Sequence, residues 1–178
     1  MKDGVMTVNP QLSLVLGGAR SGKSAFAESL IAASSPPWIY LATAETLDHE
    51  MTVRVEKHRA RRDARWRTIE APHRLAEALN DAPADAPLLI DCLSLWLSNR
   101  LLAGADLGTE TDALVAALAA RKAPTVAVSS EVGLTVVPEN ALTRAYRDAA
   151  GELHQAVARV AGSVTLTIAG CPLKVKGQ

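Results

Sequence analysis

Leu12-Ser13-Leu14-Val15-Leu16-Gly17-Gly18-Ala19-Arg20-Ser21-Gly22-Lys23-Ser24 is the stretch that decides the fold. A short apolar run, Leu12 to Leu16, has the length and composition of a buried strand, and Lys23 to Ala33 has the composition of a helix. Between them Gly17 to Ser24 fits the pattern G-x-x-x-x-G-K-[ST] in the strand-turn-helix setting that the pattern requires. Glycines let the backbone curl until several N–H groups converge on phosphate oxygens, and the following helix adds its positive N-terminal end. In such a loop Lys23 contacts the β and γ phosphates and Ser24 holds Mg²⁺. Arg20 fills a variable position, where a side chain points either toward the phosphates or into solvent.

Further apolar runs follow at Trp38 to Ala42, Leu88 to Cys92, Thr125 to Ser129 and Val164 to Ile168, with a shorter one near Arg67 to Glu70. Near-continuous apolar strands suit a parallel sheet buried on both faces. The segments between them predict helices over Lys23 to Ala33, about Asp48 to Arg65, His73 to Asn80, Leu93 to Leu102, Asp112 to Arg121 and Glu139 to Ala161, the last preceded by Pro138. The expected architecture is α/β: a P-loop NTPase-like (RecA-like) open, mostly parallel sheet with helices on both faces. Residues 12–178 are expected to form one catalytic domain and residues 1–11 a flexible leader.

The chain has 178 residues, enough for one well-buried core, and an aromatic content of only 3%, so that core is built from Ala, Leu and Val. Its 19 basic and 19 acidic residues balance, so no global field draws it to nucleic acid or to an anionic membrane. Phosphate recognition is therefore local. Cys92 and Cys171 lie in separate apolar stretches and read as buried small hydrophobes. The absence of a signal-like or membrane-length apolar run makes the cytoplasm the expected location.

A P-loop protein needs a carboxylate at the end of another buried strand to orient the Mg²⁺ shell. Asp91 closes the run Leu88-Leu89-Ile90 and fits that position, with a helix N-cap as its other possible role. Glu131, at the end of the run from Thr125, is a weaker candidate. Between Asp48 and Arg65 a stripe of Arg54, His58, Arg61 or Arg62, and Arg65 recurs at helical spacing and would suit polyphosphate, or else forms a solvated charged face. Within it, His58 is the group able to act as a nucleophile near neutral pH, with neighbouring guanidinium groups to stabilise phosphate charge. His49, His73 and His154 read as surface or helix-packing residues.

The phosphate loop, Tyr40-Leu41-Ala42-Thr43-Ala44, Glu50-Met51 with Arg54-Val55 and His58, Trp66-Arg67-Thr68-Ile69-Glu70, and Ser130-Glu131-Val132-Gly133 followed by Val137-Pro138-Glu139-Asn140 together resemble the bifunctional adenosylcobinamide kinase and adenosylcobinamide-phosphate guanylyltransferases of cobalamin biosynthesis. The similarity spans about Leu12 to Lys176. It implies phosphorylation of adenosylcobinamide by ATP or GTP, followed by transfer of GMP from GTP through a guanylylated histidine, which matches His58. The resemblance further implies nucleotide contacts at Ala42, Thr43, Ala44, Arg59, Ala60, Arg61, Arg62, Glu70 and Asp91, and a homotrimer. Two other functions remain open at this point: a P-loop small-molecule kinase without guanylyl transfer, and a non-enzymatic nucleotide switch, for which no apolar partner surface stands out in the sequence.

Overall fold

A computed structural model describes residues 7–45 and 62–177. The elements run β1 (Asn9–Gly17), α1 (Lys23–Ala32), β2 (Trp38–Ala42), β3 (Trp66–Glu70), α2 (Leu75–Asp81), β4 (Leu88–Asp91), α3 (Leu93–Leu102), α4 (Leu107–Ala120), β5 (Thr125–Ser130), α5 (Ala141–Val160), β6 (Ala161–Ile168) and β7 (Cys171–Lys176). They form one sheet of order β3-β2-β4-β5-β1-β6-β7. Every pairing is parallel except β6 with β7. Leu88, Leu89 and Ile90 are fully buried because helices cover both faces of β4, which is why this strand reads as an unbroken apolar run.

Two apolar layers flank the sheet. Ala27 and Ile31 of α1 pack with Val15, Trp38, Tyr40 and Val128 on one face, while α2, α3, α4 and α5 contribute to a larger cluster on the other. Arg121, just past α4, is buried and donates to the carbonyls of Pro83 at 2.9 Å and Ala86 at 2.5 Å, tying the segment after α2 to the base of β5. Its desolvation pulls the guanidinium below its ordinary range, and the carbonyls of Ala82, Pro83 and Ala86 offset that burial.

Several boundaries differ from the sequence-based expectation. β1 starts at Asn9 rather than Leu12, because the Asn9 amide donates to the carbonyls of Leu118 and Arg121 at the end of α4 and draws the chain into the sheet. α4 starts at Leu107 instead of Asp112, since the Asp106 side chain accepts from the N–H groups of Gly108 and Thr109 and caps the helix early. α5 likewise starts at Ala141, capped by Asn140, and passes directly into β6. β7 was not expected at all. It is an antiparallel edge strand joined to β6 by Ala169-Gly170, both with positive φ, as a two-residue hairpin requires. Its position corrects the expectation for Cys171, which is exposed on this edge, whereas Cys92 is buried as expected.

Helix α2 covers most of His73 to Asn80. The helix expected over Asp48 to Arg65 falls mostly outside the described residues. Its last part is corrected: Ala64 and Arg65 form a turn, not a helix, because the Arg65 carbonyl accepts from Trp38 N–H at 2.9 Å and opens the β2–β3 ladder. Arg65 also pairs with Asp63 at 2.7 Å and lies over the Trp38 ring.

Candidate nucleotide site

The carboxyl ends of the central strands share one edge of the sheet. Ala42 pairs with both Glu70 and Asp91, Asp91 with Val128, and Gly17 with Ser130. The sequence candidates Gly17, Ala42, Glu70 and Asp91 are thereby brought to one rim, where open α/β sheets bind ligands. β5 lies between the loop-bearing strand β1 and the carboxylate-bearing strand β4.

The loop has the backbone geometry of a phosphate cradle. Gly22 has φ of 93°, and a side chain at Gly17 would come within 2.4 Å of Ser21 Oγ and 2.7 Å of the Thr167 carbonyl, so only glycine fits there. Arg20 also has positive φ, 55°. Gly18, Ala19 and Arg20 are exposed, Lys23 and Ser24 half-buried. The Lys23 ammonium donates to the Gly18 carbonyl at 3.1 Å, folding back across the loop it would share with phosphates. Ser21 Oγ and Thr167 Oγ1 are buried without a hydrogen-bond partner. The hairpin tip supports the loop from behind, with Gly170 N–H donating to the Ser21 carbonyl at 2.9 Å.

Asp91 sits half-exposed at the end of β4 and accepts from the Tyr40 hydroxyl at 3.1 Å. Burial, and secondly the Asp91 charge, raise the Tyr40 pKa well above the ordinary phenol range, so this ring remains a donor. The Arg62 guanidinium stacks on Tyr40 with its carbon 3.4 Å from the ring centroid, and its Nε and Nη1 are buried without hydrogen-bond partners among the described residues. Trp66 meets the same ring edge-on. Among the expected nucleotide contacts, Thr43 has its hydroxyl committed elsewhere: it donates to the Cys92 carbonyl at 2.7 Å and accepts from Cys92 N–H at 2.8 Å. Asn99 then holds the Thr43 carbonyl at 3.0 Å. Ala44 is half-buried next in the chain. His58, Arg59, Ala60 and Arg61 lie outside the described residues, as does His49.

Two residues given no ligand role have clear packing roles. His73 contacts Glu45 at 2.8 Å near Arg100, which is itself paired with Glu110. His154 is buried on α5 against Ser129 and Glu131. The sequence assigned no role to Tyr40 or Ser94. Ser94 Oγ lies 2.9 Å from the Cys92 thiol and accepts from Ser130 N–H at 3.2 Å, joining the ends of β4 and β5. A groove of about 370 Å³ elsewhere is lined by Asp112, Val115, Ala116 and Val160, and none of the strand-end residues border it.

A glycine cradle at a helix start, a lysine across it and a carboxylate two strands away define a P-loop nucleotide-binding protein. Solved structures agree on the fold: the chain aligns with the flagellar accessory protein FlaH of Methanocaldococcus jannaschii at TM-score 0.52 and 12% identity, covering 97% of this chain and 80% of that one. A prototypical ATPase of a bacterial type III secretion system aligns at TM-score 0.54 and 14% identity, over 88% of this chain and 51% of that one. The sequence profile of the cobinamide kinase / cobinamide phosphate guanyltransferase family matches residues 13–175. The bifunctional adenosylcobalamin biosynthesis protein CobP of Pseudomonas aeruginosa is 49% identical over 93% of this chain and 97% of its own length. CobU of Salmonella typhimurium is 38% identical over 92% of this chain and 98% of its own length. The chain belongs to the cobinamide kinase / cobinamide phosphate guanyltransferase family, transferases of adenosylcobalamin biosynthesis.

Proposed function

We propose that this chain phosphorylates the hydroxyl of adenosylcobinamide at the Gly17–Ser24 loop and then converts the product to adenosylcobinamide-GDP through a guanylyl group carried on His58. The observation that carries it is the shared rim on which the loop, Ala42, Glu70 and Asp91 meet. In the first step Lys23 and the loop N–H groups hold the triphosphate while the substrate oxygen attacks the γ-phosphorus and the nucleoside diphosphate leaves. In the second, an imidazole nitrogen of His58 attacks the α-phosphorus of GTP and pyrophosphate departs; the substrate phosphate then displaces the imidazole, so that two in-line displacements replace one. Arg59, Arg61 and Arg62 are the groups proposed to balance phosphate charge, and the unpartnered Nε and Nη1 of Arg62 support an anionic ligand beside Tyr40.

The hard oxygen donors Ser24 and Asp91 suit Mg²⁺. Held there, the ion would neutralise charge on the phosphate oxygens. No described helix is long and apolar enough to cross a membrane, and we place the protein in the cytoplasm. A homotrimer is the proposed assembly. Contrary to the sequence-based expectation, exposed apolar side chains do stand out, at Leu134, Val136 and Val137 after β5 and at Leu173 and Val175 on β7, and these support association.

Purified protein incubated with α-labelled GTP should acquire an acid-labile adduct on His58, and His58→Ala should lose both adduct and adenosylcobinamide-GDP while keeping most of the kinase step. Label on His58→Ala, or peptide mapping to His49, His73 or His154, would overturn the assignment. Light scattering should give three times the chain mass; a monomer would remove the trimer.

A further inference from the structure

We propose that Glu131 is a catalytic residue of the kinase half-reaction, taking the proton of the attacking hydroxyl, and that His154 is the residue that positions its carboxylate. The proposal rests on the kinase activity proposed above. Glu131 follows β5, the strand beside the phosphate loop's own strand, and its N–H donates to the carbonyl of Gly17, the first loop residue, at 3.0 Å. This bond fixes Glu131 against the loop independently of its side chain.

The carboxylate is held at one oxygen and flanked at the other. Oε1 accepts from Gly133 N–H at 2.5 Å, and Oε2 lies 3.7 Å from His154 Nδ1. On its far side the imidazole meets Ser129 Oγ through Nε2 at 2.8 Å. With the ring proton on Nδ1, the side that faces Glu131, Nε2 accepts from the Ser129 hydroxyl, and the carboxylate lies beside the Nδ1–H, beyond direct hydrogen-bond range. The order serine, histidine, glutamate copies a hydrolase triad, but Ser129 is fully buried and His154 is 8% exposed, so neither reaches a substrate. The Glu131 side chain is 21% exposed and open to a ligand. The buried pair therefore flanks the carboxylate from behind, and the Glu131 backbone anchors it beside the first loop residue. The end of β5 is further locked to the end of β4 through Ser130 N–H and Ser94 Oγ, which sets Glu131 and Asp91 in a fixed relation.

In the proposed step the substrate O–H proton passes to a Glu131 oxygen as the new O–P bond forms to the γ-phosphorus. The bond from that phosphorus to the bridging oxygen breaks, and its electron pair leaves on the nucleoside diphosphate. Glu131 returns the proton to water after product release.

The test is Glu131→Gln in the full chain, with three readouts: kcat and KM for adenosylcobinamide phosphorylation, nucleotide Kd by calorimetry, and GMP attachment from α-labelled GTP. Loss of a general base should lower the kinase kcat about 100-fold or more, with nucleotide Kd and GMP attachment within about threefold of wild type. His154→Leu should lower kcat about tenfold at unchanged KM, and His154→Asn, which restores a donor near the Nδ1 position, should recover most of that loss. A Glu131→Gln protein at near wild-type kcat overturns the proposal. So does a parallel loss of nucleotide affinity and adduct, which would make Glu131 a support of the loop instead. If Glu131→Gln does not fold, Glu131→Asp replaces it: kcat reduced at unchanged Kd supports the proposal and full kcat overturns it. Wild-type protein that cannot phosphorylate adenosylcobinamide would instead sink the underlying kinase activity.

Discussion

The Tyr40 hydroxyl donates to Asp91 Oδ2 at 3.1 Å across the β2–β4 pair, so the aromatic ring that carries Arg62 also aims the carboxylate proposed for Mg²⁺. Tyr40→Phe removes the donor and keeps the ring. One hydrogen bond of this kind is worth about 1 kcal/mol, so the Mg²⁺ concentration that half-saturates nucleotide binding should rise about fivefold. Calorimetric titration of Mg²⁺ at fixed nucleotide checks this, and an unchanged midpoint would detach Asp91 from the metal.

Lys23→Ala should leave the fold intact, because Lys23 is half-buried and, among the described residues, its ammonium bonds to the Gly18 carbonyl of its own loop. Phosphorylation should fall by roughly 100-fold or more, about 3 kcal/mol of transition-state stabilisation. Steady-state kinetics beside a thermal melt separates the two effects.

Thr43→Val keeps the volume of a fully buried side chain and deletes both of its bonds to the Cys92 backbone. Leaving the Cys92 N–H buried without its acceptor should cost about 1–3 kcal/mol. For a chain of this size that corresponds to a fall in Tm of roughly 3–10 °C, read by calorimetry. A neutral result would return Thr43 to the list of nucleotide contacts by its side chain.

The central strands that build the site were legible from sequence because they are covered on both faces, as with Leu88 to Ile90, whereas edge strand β3 gave only a short, partly exposed run. The loop was legible because its glycines and lysine are fixed by backbone geometry. What escaped was contact made across strands: Tyr40 reads as one more apolar strand residue until its hydroxyl reaches Asp91, two residues beyond its register partner Leu89. Glu131 was visible only as a strand-end carboxylate, since its partner His154 lies on a helix whose packing no local pattern reveals. β7 was missed because Cys171 to Lys176 forms an exposed edge in which Lys174 and Lys176 interrupt the apolar run; such lysines discourage further strand pairing.

His154 also sets a pH dependence of stability. Burial holds its pKa below the ordinary 6.5, opposed by Glu131, the charged group that faces it. Between the folded pKa and about 6.5 the unfolded chain binds the proton and the folded chain does not, so stability should fall as pH drops through this window. His154→Asn should flatten that slope in urea unfolding series from pH 7 to pH 5. An equal slope in both proteins would assign the dependence to other groups.

The two-residue tip Ala169-Gly170 presses on the phosphate loop at Ser21 and Gly22, while β6 lies against β1. During synthesis, then, the phosphate loop leaves the ribosome well before the hairpin that completes it. A nascent chain stopped before residue 161 carries the whole glycine signature yet lacks the strand and hairpin that hold it in shape. Nucleotide capture is therefore deferred until β6 and the hairpin have been made, and a chain truncated before β6 would be a poor competitor for cellular triphosphates.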